Sequence, residues 1–123
     1  MGSLLGLRIA QRRIDEQTVV VDLHGELDAF TATRARETLL ALIQAGCQHL
    51  VLNLQGMEFI DSTGLSVLIG AQRRAREQGG VIRLVSPVRH VRRLFEITRL
   101  TLAFPIDMSV TESLNQIYNK NLM

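Results

Sequence analysis

The feature that most constrains the fold of this 123-residue chain is the run His49-Leu-Val-Leu-Asn-Leu54, which is apolar on consecutive positions rather than alternate ones. A strand with one wet face alternates, and one that does not is covered on both faces. The segments on either side show what covers it. Before the run, Ala35, Leu39, Leu42 and Ile43 recur at helical spacing, with Arg34, Glu37 and Gln44 opposite them and a stop near Gly46. After it, Leu65, Leu68, Ile69 and Ala75 form a second apolar stripe closed by Gly79-Gly80. A buried strand between two amphipathic helices requires right-handed parallel crossovers, so the class is α/β.

The remaining elements extend this alternation. Leu5, Leu7 and Ile9 alternate, a turn spans Arg13 to Gln17, and Thr18-Val-Val-Val-Asp-Leu23 is β-branched, which together predict an antiparallel edge hairpin. Val81 to Val85 forms another strand. Pro87 suits the first turn of a third helix that presents Val88, Val91 and Phe95 on one side and Arg89, Arg92 and Arg93 on the other. A weaker strand is expected around Ala103 to Ile106. The last helix runs from Ser109 to about Tyr118, with Ser109 and Glu112 spaced as a capping box. The predicted order is β-β-α-β-α-β-α-β-α: a mixed central sheet of an edge hairpin plus parallel strands, with about four helices. Neither a repeat nor a linker interrupts it, so a single domain over residues 4–119 is expected, with Met1 to Ser3 set aside as a terminal remnant.

Composition narrows the function. Nothing in the chain has the spacing of a signal peptide or reaches the length of a membrane-spanning helix, and a cytoplasmic protein without a membrane span is expected. The single cysteine, Cys47, reads as a small core hydrophobe. The net charge of +2 conceals a split: residues 71–99 carry eight arginines against Glu77 and Glu96. A basic segment suggests phosphate binding, but the chain has no Trp, one Tyr and four Phe, and no helix-turn-helix or zinc-finger spacing. The expectation is therefore no nucleic acid, with the arginines steering an acidic protein partner.

Enzyme templates fail in turn. His24, His49 and His90 are not spaced as metal ligands, no Gly-x-Ser-x-Gly elbow or phosphate-binding loop occurs, and Asp61-Ser62-Thr63-Gly64 has no second copy with which to form an acid dyad. No catalytic residue, metal or cofactor is expected. What stands out is Phe59-Ile-Asp-Ser-Thr-Gly-Leu65, between the buried strand and the second helix. Asp61 and Ser62 are both good helix caps, and one cap needs only one of them. If Asp61 is the cap, the Ser62 hydroxyl is left at a helix N-terminus, where amides and macrodipole tolerate a phosphate dianion. Spacing leaves both roles open. Gly70, inside the second helix, costs stability relative to alanine and is expected to pack closely on a neighbour; Leu65 and Val67 are divided between core and partner contact.

Phe59-Ile-Asp-Ser-Thr-Gly-Leu65, together with Gly25-Glu-Leu-Asp28, His49 to Leu54 and Val91-Arg-Arg-Leu-Phe95, resembles the STAS domain, and most closely its bacterial anti-sigma factor antagonists. The motifs keep the family's order over nearly the whole chain. The resemblance implies that Ser62 is the phosphoacceptor for a partner kinase, with Thr63 the second candidate. It implies that Asp61, Thr63 and Gly64 shape the acceptor turn and that Asp28 lies beside it; Asp28 and Asp61, with Leu65, are then expected to face the partner, although Asp28 could instead cap the first helix. The implied function is partner switching. The unphosphorylated protein binds an anti-sigma factor serine/threonine kinase and frees the sigma factor, phosphorylation reverses this, and a serine phosphatase resets the cycle. A constitutive STAS subunit of a lipid-transport ATPase complex or of a stress-signalling scaffold is the alternative.

Overall fold

The structure, a computed structural model, describes residues 6–85 and 88–120. Leu5 of the predicted first strand and Pro87 of the predicted third helix lie outside the described residues. Five strands form one sheet in the order β1-β2-β3-β4-β5: β1 (Leu7–Arg13), β2 (Thr18–Leu27), β3 (His49–Ile60), β4 (Val81–Val85) and β5 (Ile106–Asp107). β1 is antiparallel to β2 and every other pairing is parallel. The helices α1 (Ala32–Gln44), α2 (Ser62–Glu77) and α3 (Arg89–Ile97) lie between successive strands from β2 onward, and α4 (Val110–Lys120) follows β5. The expected mixed α/β sheet with four helices is the fold observed.

The unbroken apolar run has the predicted cause. Leu50, Leu52 and Leu54 enter the main core with Val19, Val21, Leu23, Leu39, Ile43, Leu68 and Phe95, whereas Val51 faces a second cluster with Val20, Val85 and Ile117 of α4. Beyond α4 the second face turns polar. Asp22 and Asn53, paired in register, join Arg12 there: Asn53 Nδ2 and Arg12 Nε donate to the Asp22 carboxylate at 2.7 and 2.9 Å. On the same face Arg83 is buried and makes a two-pronged ion pair with Asp107, which also accepts from Ser113 of α4. Arg83 therefore takes no part in an exposed basic surface.

Several expectations need correction. β3 runs six residues past Leu54, because parallel pairing with β2 carries the ladder through polar positions to Leu27 opposite Ile60. β2 likewise continues through Gly25-Glu-Leu27. The last strand is Ile106–Asp107 rather than Ala103 to Ile106; a 3-10 turn at Leu100–Leu102, entered through Arg99 in the left-handed region (φ 62°), takes up the chain before it. Ile69 is only half-buried, and Ala71 and Gln72 complete the buried stripe of α2 instead. Gly70 is not closely packed: a Cβ there would meet no atom within 4 Å. Cys47 is buried as expected, and burial pushes its thiol pKa up. At α4, Ser109 Oγ accepts from the Glu112 amide at 3.0 Å, but the Glu112 carboxylate reaches back to the amide of Met108 rather than that of Ser109.

Candidate functional site

The candidate site lies where β2 and β3 end. Parallel pairing brings Leu27 opposite Ile60, so the next residues, Asp28 and Asp61, leave the sheet on neighbouring strands. The Asp61 amide donates to the Leu27 carbonyl at 3.2 Å, tying the ends of β2 and β3 together. Asp61 is extended (φ −107°, ψ −174°), and its carboxylate accepts from the Gly64 amide at 2.9 Å. It is the cap of α2. That choice decides between the two candidate residues, because Ser62 is then already helical and its side chain is not needed for capping.

Ser62 and Thr63 are both exposed. Among the described residues no hydrogen bond involves the Ser62 hydroxyl; the Ser62 carbonyl accepts from Ser66 Oγ, one turn on, at 3.0 Å. Gly64 is buried against the strand ends. A Cβ on it would stand 2.5 Å from the Leu27 carbonyl oxygen, 2.8 Å from Leu27 Cγ and 2.9 Å from Ile60 Cγ1. Only glycine lets the first turn of α2 approach β2 and β3 this closely. Leu65 is 9% exposed and belongs to the core cluster. Of core and contact surface, the two roles open to Leu65, its burial is that of core, and it holds the turn from beneath.

Asp28 is half-buried, and its carboxylate is engaged by backbone amides in the turn ahead of α1. Thr31 occupies the N-cap position of α1, and Asp28 Oδ1 accepts from the amides of Phe30 and Thr31 at 2.9 and 3.1 Å, while Thr31 Oγ1 accepts from the Asp28 amide at 2.9 Å. These bonds fold Asp28-Ala-Phe-Thr31 into a tight reciprocal turn beside the α2 N-terminus. Two exposed aromatics lie outside the site residues expected from the sequence. Phe30, at the tip of the turn, is 86% exposed, and Phe59, two residues before Asp61, is 48% exposed. The other two phenylalanines, Phe95 and Phe104, are fully buried. An exposed phenylalanine inside a turn of small and polar residues was the available signal, since nothing periodic there requires an aromatic. Phe30 follows the end of β2 and Phe59 lies near the end of β3, and exposed aromatics are enriched at docking surfaces.

The chain is similar to known proteins in both sequence and fold. Residues 10–113 match the family model of the STAS domain. The anti-sigma-B factor antagonist of Bacillus subtilis strain 168 is 35% identical over 86 residues, covering 70% of this chain and 78% of that protein. Among solved structures, the anti-sigma factor antagonist SpoIIAA in its unphosphorylated form superposes with a TM-score of 0.81 at 24% identity, over 91% of this chain and 97% of that one. The Bacillus cell fate determinant SpoIIAA in its phosphorylated form superposes at 0.73 with 23% identity, over 89% and 99%. At these identities the two structures speak for the fold, and the sequence matches speak for descent. The chain belongs to the STAS domain family, among the bacterial anti-sigma factor antagonists.

Proposed function

We propose that this protein is an anti-sigma factor antagonist that works by partner switching, with Ser62 as its phosphoacceptor. The observation that carries the reading is the division of labour at the α2 N-terminus: Asp61 caps the helix, leaving the exposed Ser62 hydroxyl without a structural task. The unphosphorylated protein binds an anti-sigma factor that is itself a serine/threonine kinase, and the sigma factor is released. The kinase moves the γ-phosphoryl group of ATP to Ser62 Oγ; the new O–P bond replaces the bond to ADP, and the hydroxyl proton leaves to a kinase base. A serine phosphatase restores the hydroxyl. The protein is a substrate and a binding module in this cycle, without catalysis of its own.

The switch needs no change of fold. Phosphate adds about −1.5 to −2 charge at neutral pH. The helix N-terminus tolerates that charge in the free protein, where water solvates it. In a complex closed over Phe30 and Phe59 the dianion would be desolvated beside Asp28 and Asp61, at a cost of several kcal/mol. Each 1.4 kcal/mol is tenfold in affinity, so one phosphate moves binding by orders of magnitude.

Incubation with the cognate kinase and ATP is expected to add one phosphate by mass spectrometry, absent from Ser62→Ala. Full phosphorylation of that variant would move the acceptor to Thr63 or elsewhere and overturn the assignment. Phe30→Ala is expected to weaken kinase binding at least tenfold with little effect on stability, because an 86% exposed ring contributes little to the core.

A further inference from the structure

Between α1 and α2 lies a groove of about 510 Å³, within the range of small-ligand sites. Its floor is apolar, formed by Leu40 of α1 with Val67, Gly70 and Ala71 of α2, and its charged groups are Arg36 from α1 and Arg74 from α2. No carboxylate lines it. Gly70 is what keeps it open, because the space a side chain would occupy contains no atom within 4 Å of a Cβ. A mid-helix glycine disfavours the helix by roughly 1 kcal/mol relative to alanine, and here no close packing compensates. Neither arginine is committed elsewhere. Arg74 lies 3.8 Å from Glu77 with both side chains half-exposed, a contact of little energy, and among the described residues Arg36 has no ion pair.

An apolar trough with one guanidinium from each wall is complementary to an amphipathic anion. We propose that the α1–α2 groove binds a free aliphatic carboxylate of medium chain length, its chain over Leu40, Val67 and Gly70 and its head group on Arg36 or Arg74. The lining of α2 runs from Thr63 to Arg74, about 16 Å of helix at 1.5 Å per residue, which sets the length available to the chain. Thr63 places one end of the groove one residue from Ser62. Binding itself does not depend on Ser62 being an acceptor.

The test uses the whole protein and laurate, followed by amide chemical shifts and calorimetry. Saturable shifts confined to α1 and α2 are expected. Gly70→Leu fills the groove without removing any contact and is expected to weaken binding at least tenfold while its melting temperature holds or rises. The double variant Arg36→Gln/Arg74→Gln is expected to weaken it to a similar extent, and the cationic dodecyltrimethylammonium to bind far less well than laurate. No shifts up to about 1 mM, the weak end of specific binding, would overturn the proposal. So would equal binding of both surfactants, undiminished affinity in Gly70→Leu, or sedimentation with anionic phosphatidylglycerol vesicles in place of laurate binding. No arm uses the kinase, so failure here and failure of the Ser62 assignment are separate results.

Discussion

At the residue scale, two glycines of α2 have opposite meanings that their shared helix conceals. Gly64 is pressed onto the ends of β2 and β3, with the Leu27 carbonyl oxygen 2.5 Å from where a Cβ would be; Gly70 faces open space. Gly64→Ala is therefore expected to destabilise by about 1–3 kcal/mol through overpacking, and Gly70→Ala to stabilise by about 0.5–1 kcal/mol through helix propensity and a less flexible unfolded chain. Urea unfolding of the two variants checks both signs. The sequence predicted close packing for Gly70 because a glycine's cost shows in composition, whereas the neighbour that would justify it does not. Asp61 and Ser62 show the same limit. As chemical types they are equivalent caps, and the choice rests on dihedrals set by where β3 stops, since the cap must be the last residue still extended.

At the element scale, α2 is tied to the sheet by one buried amide. Gln72 Nε2 donates to the carbonyls of Ile82 and Ala103 at 3.1 and 2.8 Å, and its Oε1 accepts from the Ile82 amide at 2.8 Å. Helix, strand and the turn before β5 thus share one side chain. Gln72→Ala is expected to cost about 1–3 kcal/mol by leaving the backbone groups of Ile82 and Ala103 without this partner, measured by thermal or urea unfolding. On the other face, Asp22 sets a pH dependence. Burial by itself would raise its pKa, but hydrogen bonds from Arg12 and Asn53, with the charge of Arg12, outweigh burial and hold it below the ordinary 3.8. Its folded pKa is depressed, so its contribution is complete above 3.8 and is lost as pH falls through the folded value. In melting curves against pH, Asp22→Asn is expected to be less stable than the wild type at neutral pH, with the gap closing in acid. Neither interaction was legible beforehand: Gln72 lies on an otherwise apolar stripe, and the partners of Asp22 come from two other strands.

At the scale of the whole molecule, the small net charge hides a distribution that the fold sorts further. Of the eight arginines in residues 71–99, Arg83 is buried against Asp107 and Arg92 is half-buried, with its guanidinium 3.6 Å from the Met108 sulfur. The other six are exposed, on α2, on α3 and at Arg99 just beyond it. Exposed charge of one sign accelerates encounter with an acidic partner and is screened beyond roughly 8 Å at physiological ionic strength. Association with the proposed kinase partner is accordingly expected to slow by about tenfold between low and high salt in stopped-flow measurements. A salt-independent rate would make these arginines an ordinary solvated surface.

Order of elements, an antiparallel edge hairpin, parallel crossovers and the position of the Asp61-Ser62-Thr63-Gly64 turn were all determined by the sequence itself. They follow from the spacing of apolar residues and from local turn and cap chemistry, which act between near neighbours in the chain. Tertiary structure alone decided which of two adjacent caps is free, how far β3 runs, that Leu65 is core, that Phe30 and Phe59 are exposed, and that Gly70 opens a groove. Each of these depends on what a distant segment places opposite the residue: Leu27 beside Ile60 and Asp61, or α1 across from Gly70. Periodicity records which side of an element is buried, but it carries no information about how closely the opposing surface fits.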